Sequence, residues 1–140
     1  MAKWFDGTLV KLLTGAHFQD QEPWNLKNKR CAFILFFADW CGHCRDLKPE
    51  YIKFADTALF MRVHAIDTES ESSLMKRFDD KSPIQIEGFP TIYIYRDGKP
   101  YKEYKGPRTW QGMLAEAKKV CSEGCKCDKK PRRRVRTVKK

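Results

Sequence analysis

The chain has 140 residues, with 28 Lys and Arg against 18 Asp and Glu, a formal net charge of +10. That length suits one domain, and a content of 41% hydrophobic and 13% aromatic residues is too apolar for a chain disordered throughout. Its longest apolar run, Cys31 to Ala38, is far shorter than the ~20 residues of a membrane-spanning helix, which excludes a transmembrane segment of that kind.

Charge divides the sequence. Residues 126–140 carry nine basic side chains and one acidic one, whereas residues 1–125 are close to neutral. We therefore separate a domain, residues 1–125, from a basic C-terminal tail, residues 126–140. The tail holds Pro131, two valines and no aromatic residue, a composition that predicts disorder.

In chain order, Thr8 to Leu13 reads as a short strand closed by Thr14-Gly15, with a short helix after it. Arg30 to Ala38 is almost continuously apolar, as a central strand covered on both faces should be. From Cys44 the apolar positions Leu47, Tyr51, Phe54, Ala55, Ala58 and Leu59 recur at intervals of three and four, which predicts a helix kinked at Pro49. Met61 to Ile66 is a second apolar strand, Ser70 to Phe78 a short helix and Asp79 to Ile84 a loop. Thr91 to Tyr95 and Pro100 to Tyr104 form a hairpin across Asp97-Gly98. Thr109 then caps a helix whose Trp110, Met113, Leu114, Ala117, Val120 and Cys121 share one face. This alternation predicts an α/β fold with a mixed sheet and helices on both faces.

Chemistry concentrates at Trp40-Cys41-Gly42-His43-Cys44, where the central strand gives way to the helix. Two cysteines separated by two residues can close a disulfide across a first helical turn. Cys41 stands where unpaired backbone N–H groups and the helix dipole favour negative charge, so it is the candidate nucleophile. Cys44, one turn in, is the candidate resolving thiol that displaces a mixed disulfide. A protonated His43 between them, beside the small Gly42, favours the thiolate and makes the disulfide a better oxidant. A lone pair of this spacing is also half a zinc site. The other cysteine group, Cys121, Cys125 and Cys127, has a different spacing and lies far away, so we assign no metal and no dissociable cofactor.

The run Phe36-Phe37-Ala38-Asp39-Trp40-Cys41-Gly42-His43-Cys44-Arg45, followed by Leu47-Lys48-Pro49-Glu50-Tyr51 and later by Gly88-Phe89-Pro90-Thr91, resembles the active domains of the protein disulfide isomerase branch of the thioredoxin superfamily. The likeness covers roughly residues 8–120. It implies a thioredoxin fold and thiol–disulfide exchange with cysteine-containing protein substrates, with glutathione or a protein as redox partner. It further implies a cis Pro90 facing the cysteines, a backbone near Phe89 that pairs with a substrate peptide, Trp40 packed beside the site, and Arg108 able to swing toward Cys44.

The sequence departs from that pattern in several places, among them a loop at Asp79 to Ile84 that is longer than usual. The branch buries a carboxylate in the central strand to take the proton of the second cysteine, but Phe33 to Phe37 contains no acid. Ala65 stands where the partner lysine is expected, so mixed disulfides should be released slowly. Asp39 replaces the usual proline and Glu87 an often basic residue before the glycine, and both charges disfavour a thiolate at Cys41.

Cys31 reads as a small buried hydrophobe. Cys121, Cys125 and Cys127 read as forming a local disulfide or intermolecular links, or as exposed thiols. The tail suggests a rival function, a thioredoxin-fold adaptor or packaged protein that binds nucleic acid or an anionic surface nonspecifically through residues 126–140. Neither a signal peptide nor a retention signal is evident, which points to the cytosol or to a virus particle. The endoplasmic reticulum is expected only if a leader has been removed.

Overall fold

The computed structural model describes residues 4–78 and 81–122. The tail, Cys125 and Cys127 lie outside them, as do Asp79 and Asp80 of the predicted loop. Five strands form one sheet: β1 (Lys11–Leu12), β2 (Ala32–Phe37), β3 (Arg62–Asp67), β4 (Thr91–Arg96) and β5 (Lys99–Glu103), in the spatial order β1-β3-β2-β4-β5. The helices are α1 (Gly42–Thr57), α2 (Ser72–Met75) and α3 (Trp110–Ser122), with a 3-10 turn at Gly15–His17. Strands β1, β3 and β2 are parallel, β4 runs antiparallel to β2, and β5 runs antiparallel to β4. This is the mixed α/β sheet that the alternation predicts.

β2 is buried along its whole length because the two faces of the sheet pack separate cores. Phe33, Leu35 and Phe37 point toward α1 and α3, among Tyr51, Phe54, Met113 and Ala117. Ala32, Ile34 and Phe36 point the other way, among Phe18, Leu26, Leu74 and Phe78. A continuous apolar run is what a strand with two dry faces requires.

Helix α1 begins two residues earlier than the apolar spacing suggests and runs on through Pro49. In the hairpin, Asp97 and Gly98 both have positive φ, 56° and 81°, the pairing a tight two-residue turn needs. A Cβ on Gly98 would lie 2.8 Å from the Leu26 carbonyl oxygen, so glycine is required there for space as well. Thr109 caps α3 as expected, its Oγ1 accepting the Gly112 N–H at 3.1 Å. The predicted strand Thr8–Leu13 shrinks to two residues, since only Lys11 and Leu12 find ladder partners on β3.

One expectation is overturned. Cys31 is not a lone buried thiol, and Cys121 is neither exposed nor linked to its neighbours in sequence. The two form a disulfide with a Cα–Cα distance of 5.8 Å, across 90 residues of chain. It ties the start of β2 to the last turn of α3, and both cysteines are buried. Helix α3 packs across the same sheet face as α1, which brings its C-terminal end back to where the central strand starts. Spacing along the sequence carries no trace of such a pairing.

His64 on β3 sits between Ile34 and Lys11 in the sheet. It is buried, and its Nδ1 has no hydrogen-bond partner. Burial, reinforced by the cations Lys11, His17 and Arg62 and opposed by a hydrogen bond to the Lys11 backbone, pushes the imidazole down from 6.5 to about 4. The unfolded chain therefore takes up this proton first as pH falls. The stabilising contribution is complete above about pH 6.5 and is lost on acidification toward pH 4. Urea unfolding at pH 7 and pH 5 is expected to differ by about 2 kcal/mol through this residue, and His64→Gln should flatten that slope.

Candidate active site

Strand β2 ends at Phe37, and the chain turns through Ala38, Asp39 and Trp40 into α1. The Cys41 N–H donates to the Ala38 carbonyl at 3.1 Å, closing the turn. Cys41 is the N-cap of α1, with extended backbone, and its sulfur accepts the Cys44 N–H at 3.1 Å. That sulfur does what a serine or aspartate oxygen does at other helix starts, satisfying an N–H that has no partner within the helix. Both cysteines are free thiols, so the site is in its reduced form.

The two thiols differ in reach and in acidity. Cys41 keeps 5% of its surface and Cys44 none. Burial pushes the Cys44 thiol up to about 12, helped by its hydrogen bond with Cys41. The Ala38 backbone and the Arg108 charge pull weakly in the opposite direction. No carboxylate does so from the sheet, because Leu35 faces Ala65 across the β2–β3 ladder and both are fully buried. An apolar pair occupies the positions where the resemblance implies an acid and a lysine.

Of the other residues expected at the site, Trp40 lies in this turn and Phe89 packs on it, while the cavity lined by Pro90 and Arg108 includes neither cysteine. Trp40 is 64% exposed and packs edge-on against Phe89, with ring centroids 5.8 Å apart. The Phe89–Pro90 peptide bond is cis. Pro90 and Arg108 line one open cavity, together with Ile92, Glu103, Tyr104, Lys105 and Gly106. His43 and Gly42 are exposed on the first turn of α1. A Cβ on Gly42 would meet nothing within 4 Å, so packing does not demand glycine there.

Three contacts have no signal in the sequence. Glu69, after β3, accepts the Trp40 indole N–H through Oε2 at 2.7 Å. Glu50 on α1 accepts the Trp110 N–H at 2.9 Å, which fastens the start of α3 to the redox helix. Trp4 donates its indole N–H to Asp39 Oδ1 at 2.6 Å. Each joins residues 29 to 60 positions apart. Among the described residues, no helix is long and apolar enough to cross a membrane.

The thioredoxin family pattern matches residues 10–119. Protein disulfide-isomerase A4 of Bos taurus is 36% identical over 115 residues, 79% of this chain and 16% of its own length. Protein disulfide-isomerase of Medicago sativa is 34% identical over 111 residues, covering 79% of this chain and 21% of its own. The chain thus spans about a fifth or less of these relatives. Among solved structures, the J-Trx1 fragment of ERdj5 superimposes with a TM-score of 0.66 at 22% identity, over 81% of this chain and 52% of that one. The first two thioredoxin domains of Naumovozyma dairenensis Eps1p give 0.66 at 22% identity, over 84% and 43%. At that identity the likeness speaks for the fold alone. The fold, the cysteine turn at the head of α1 and the match over residues 10–119 agree: the chain belongs to the thioredoxin superfamily, and its domain is similar to those of protein disulfide isomerases.

Proposed function

We propose that the domain is a thiol–disulfide oxidoreductase that exchanges disulfides with cysteine-containing protein substrates through Cys41 and Cys44. The observation that carries this reading is the inequality of the two thiols. Cys41 keeps a small exposed surface and caps a helix N-terminus, while Cys44 is fully buried, with its thiol pushed up to about 12. That division suits one sulfur to attack and the other to resolve.

In the oxidising direction for this domain, the Cys41 thiolate attacks a substrate disulfide. A Cys41–substrate S–S bond forms, and the second substrate sulfur leaves as a thiolate that takes up a proton. Cys44 then gives up its proton and attacks Cys41, forming the Cys41–Cys44 disulfide and releasing the first substrate sulfur as a thiol. Two electrons have passed from the domain to the substrate, and the reverse sequence donates a disulfide. His43 lies between the two cysteines on the first turn of α1, where its ring tunes the redox pair. Trp40, Phe89 and Pro90 form the edge along which a substrate backbone lies, and Arg108 assists deprotonation of Cys44.

The test is the reduction potential of the Cys41–Cys44 pair in glutathione buffers, together with refolding of a scrambled disulfide substrate. Cys125 and Cys127 would be changed to serine beforehand. We expect a value near about −180 mV with recovery of native substrate, as for a disulfide donor or isomerase. A value near about −270 mV would leave a reductase in place of an isomerase, and a pair that never exchanges with glutathione would end the reading.

A further inference from the structure

An acid two residues before a nucleophilic cysteine is a liability, since their Cα atoms lie within about 7 Å of each other and a nearby negative charge disfavours the thiolate. Here the liability is held in check. Trp4 Nε1 donates to Asp39 Oδ1 at 2.6 Å. The indole stacks on Phe37 with centroids 4.9 Å apart, and the neighbouring Phe5 is buried edge-on against the same Phe37 ring. Lys48 stands over the Trp4 ring, 5.8 Å from its centroid. Lys48 lies seven residues along α1 from Cys41, roughly 10 Å of helix rise. One oxygen of the Asp39 carboxylate is therefore tied to an indole that is itself packed against Phe37. The Asp39 backbone is fixed as well, because Arg45 Nη2 donates to its carbonyl at 3.0 Å.

We propose that Trp4 is a positioning residue for the redox pair, its indole N–H restraining the Asp39 carboxylate so that the Cys41 thiolate forms without a close anion. The proposal rests on the exchange activity proposed above. It gives the N-terminal Trp4-Phe5 segment a part in the site, acting through Asp39 and touching neither sulfur. Other ionisable groups near the turn include His43, Arg45 and Asp46 on α1, Glu69 bonded to Trp40, Glu87 ahead of Phe89, and Arg108 ahead of α3. All of them stay unchanged in the test.

The experiment is a double-mutant cycle on the full chain with Trp4→Phe and Asp39→Asn. Phenylalanine keeps a ring over Phe37 and removes only the donor. The first readout is the equilibrium in which the Cys41–Cys44 disulfide and two glutathione thiols yield the dithiol and one glutathione disulfide. The second is the rate of Cys41 alkylation by iodoacetamide at neutral pH, located by mass spectrometry. Trp4→Phe is expected to lower both by roughly three- to fivefold, the size of an unscreened surface charge contact. In the Asp39→Asn background the same substitution should change neither, because no carboxylate remains to be released. A loss that persists in that background would make Trp4 a packing residue and overturn the proposal, as would the absence of any loss. Failure of the unmodified protein to exchange with glutathione would bring down the activity itself, an outcome distinct from normal exchange that ignores Trp4.

Discussion

Replacing Cys41 by serine is expected to reduce disulfide exchange at least about a thousandfold, as removal of a covalent nucleophile does. Replacing Cys44 by serine should leave the attack intact and arrest the reaction as a mixed disulfide visible by mass spectrometry. The asymmetry follows from burial. Burial pushes the Cys44 thiol up, and that burial persists in the mixed disulfide, so resolution is expected to be the slower step. The apolar pair Leu35 and Ala65 explains why nothing in the sheet relieves it. Leu35→Glu alone would bury a charge without a partner, which is costly. Combined with Ala65→Lys, it is expected to speed release of a trapped substrate about tenfold, through a general base within reach of Cys44. Equal rates of attack by Cys41→Ser and Cys44→Ser variants would refute the division of roles.

The second large effect concerns stability. Breaking the Cys31–Cys121 bond, by a thiol reductant or by Cys31→Ala with Cys121→Ala, should lower the unfolding free energy by roughly 3–5 kcal/mol, because a crosslink across 90 residues restrains a long loop in the unfolded chain. That is a large share of the roughly 5–15 kcal/mol that holds a typical domain together. Alanine keeps both positions apolar, so lost packing stays small. Urea curves with and without reductant give the answer, and coincident midpoints would show that the bond contributes nothing. Reductant also opens the Cys41–Cys44 disulfide where that is present, so the comparison should be made in a Cys41→Ser, Cys44→Ser background.

The alternation of elements, the doubly buried β2 and the Asp97-Gly98 turn were legible in the sequence because each follows from a local rule. Apolar period, capping residues and turn chemistry act within a few residues of one another. The cysteine turn was legible for the same reason, and Gly88-Phe89-Pro90-Thr91 marked a second part of the site by resemblance. What escaped was long-range. The disulfide partners lie 90 residues apart, and the bonds from Trp4, Glu69 and Glu50 depend on how the finished fold brings loops and helices together. Asp39 illustrates the difference, since its charge beside the motif was plain while the indole that restrains it was not. The first strand was overread because a short run rich in Leu and Val says nothing about how much of β3 it can reach.

The two margins of the sheet have a consequence for the company this protein keeps. β1 offers two ladder residues, and β5 runs Lys-Pro-Tyr-Lys-Glu, with a proline that lacks an N–H and a Tyr101 ring covered by the Arg96 guanidinium at 4.5 Å. Margins that are short, cationic and interrupted by proline make poor templates for another strand. If the domain exchanges disulfides with protein chains as proposed, such margins would disfavour strand addition at the sheet edges and leave the cysteine turn as the place of contact.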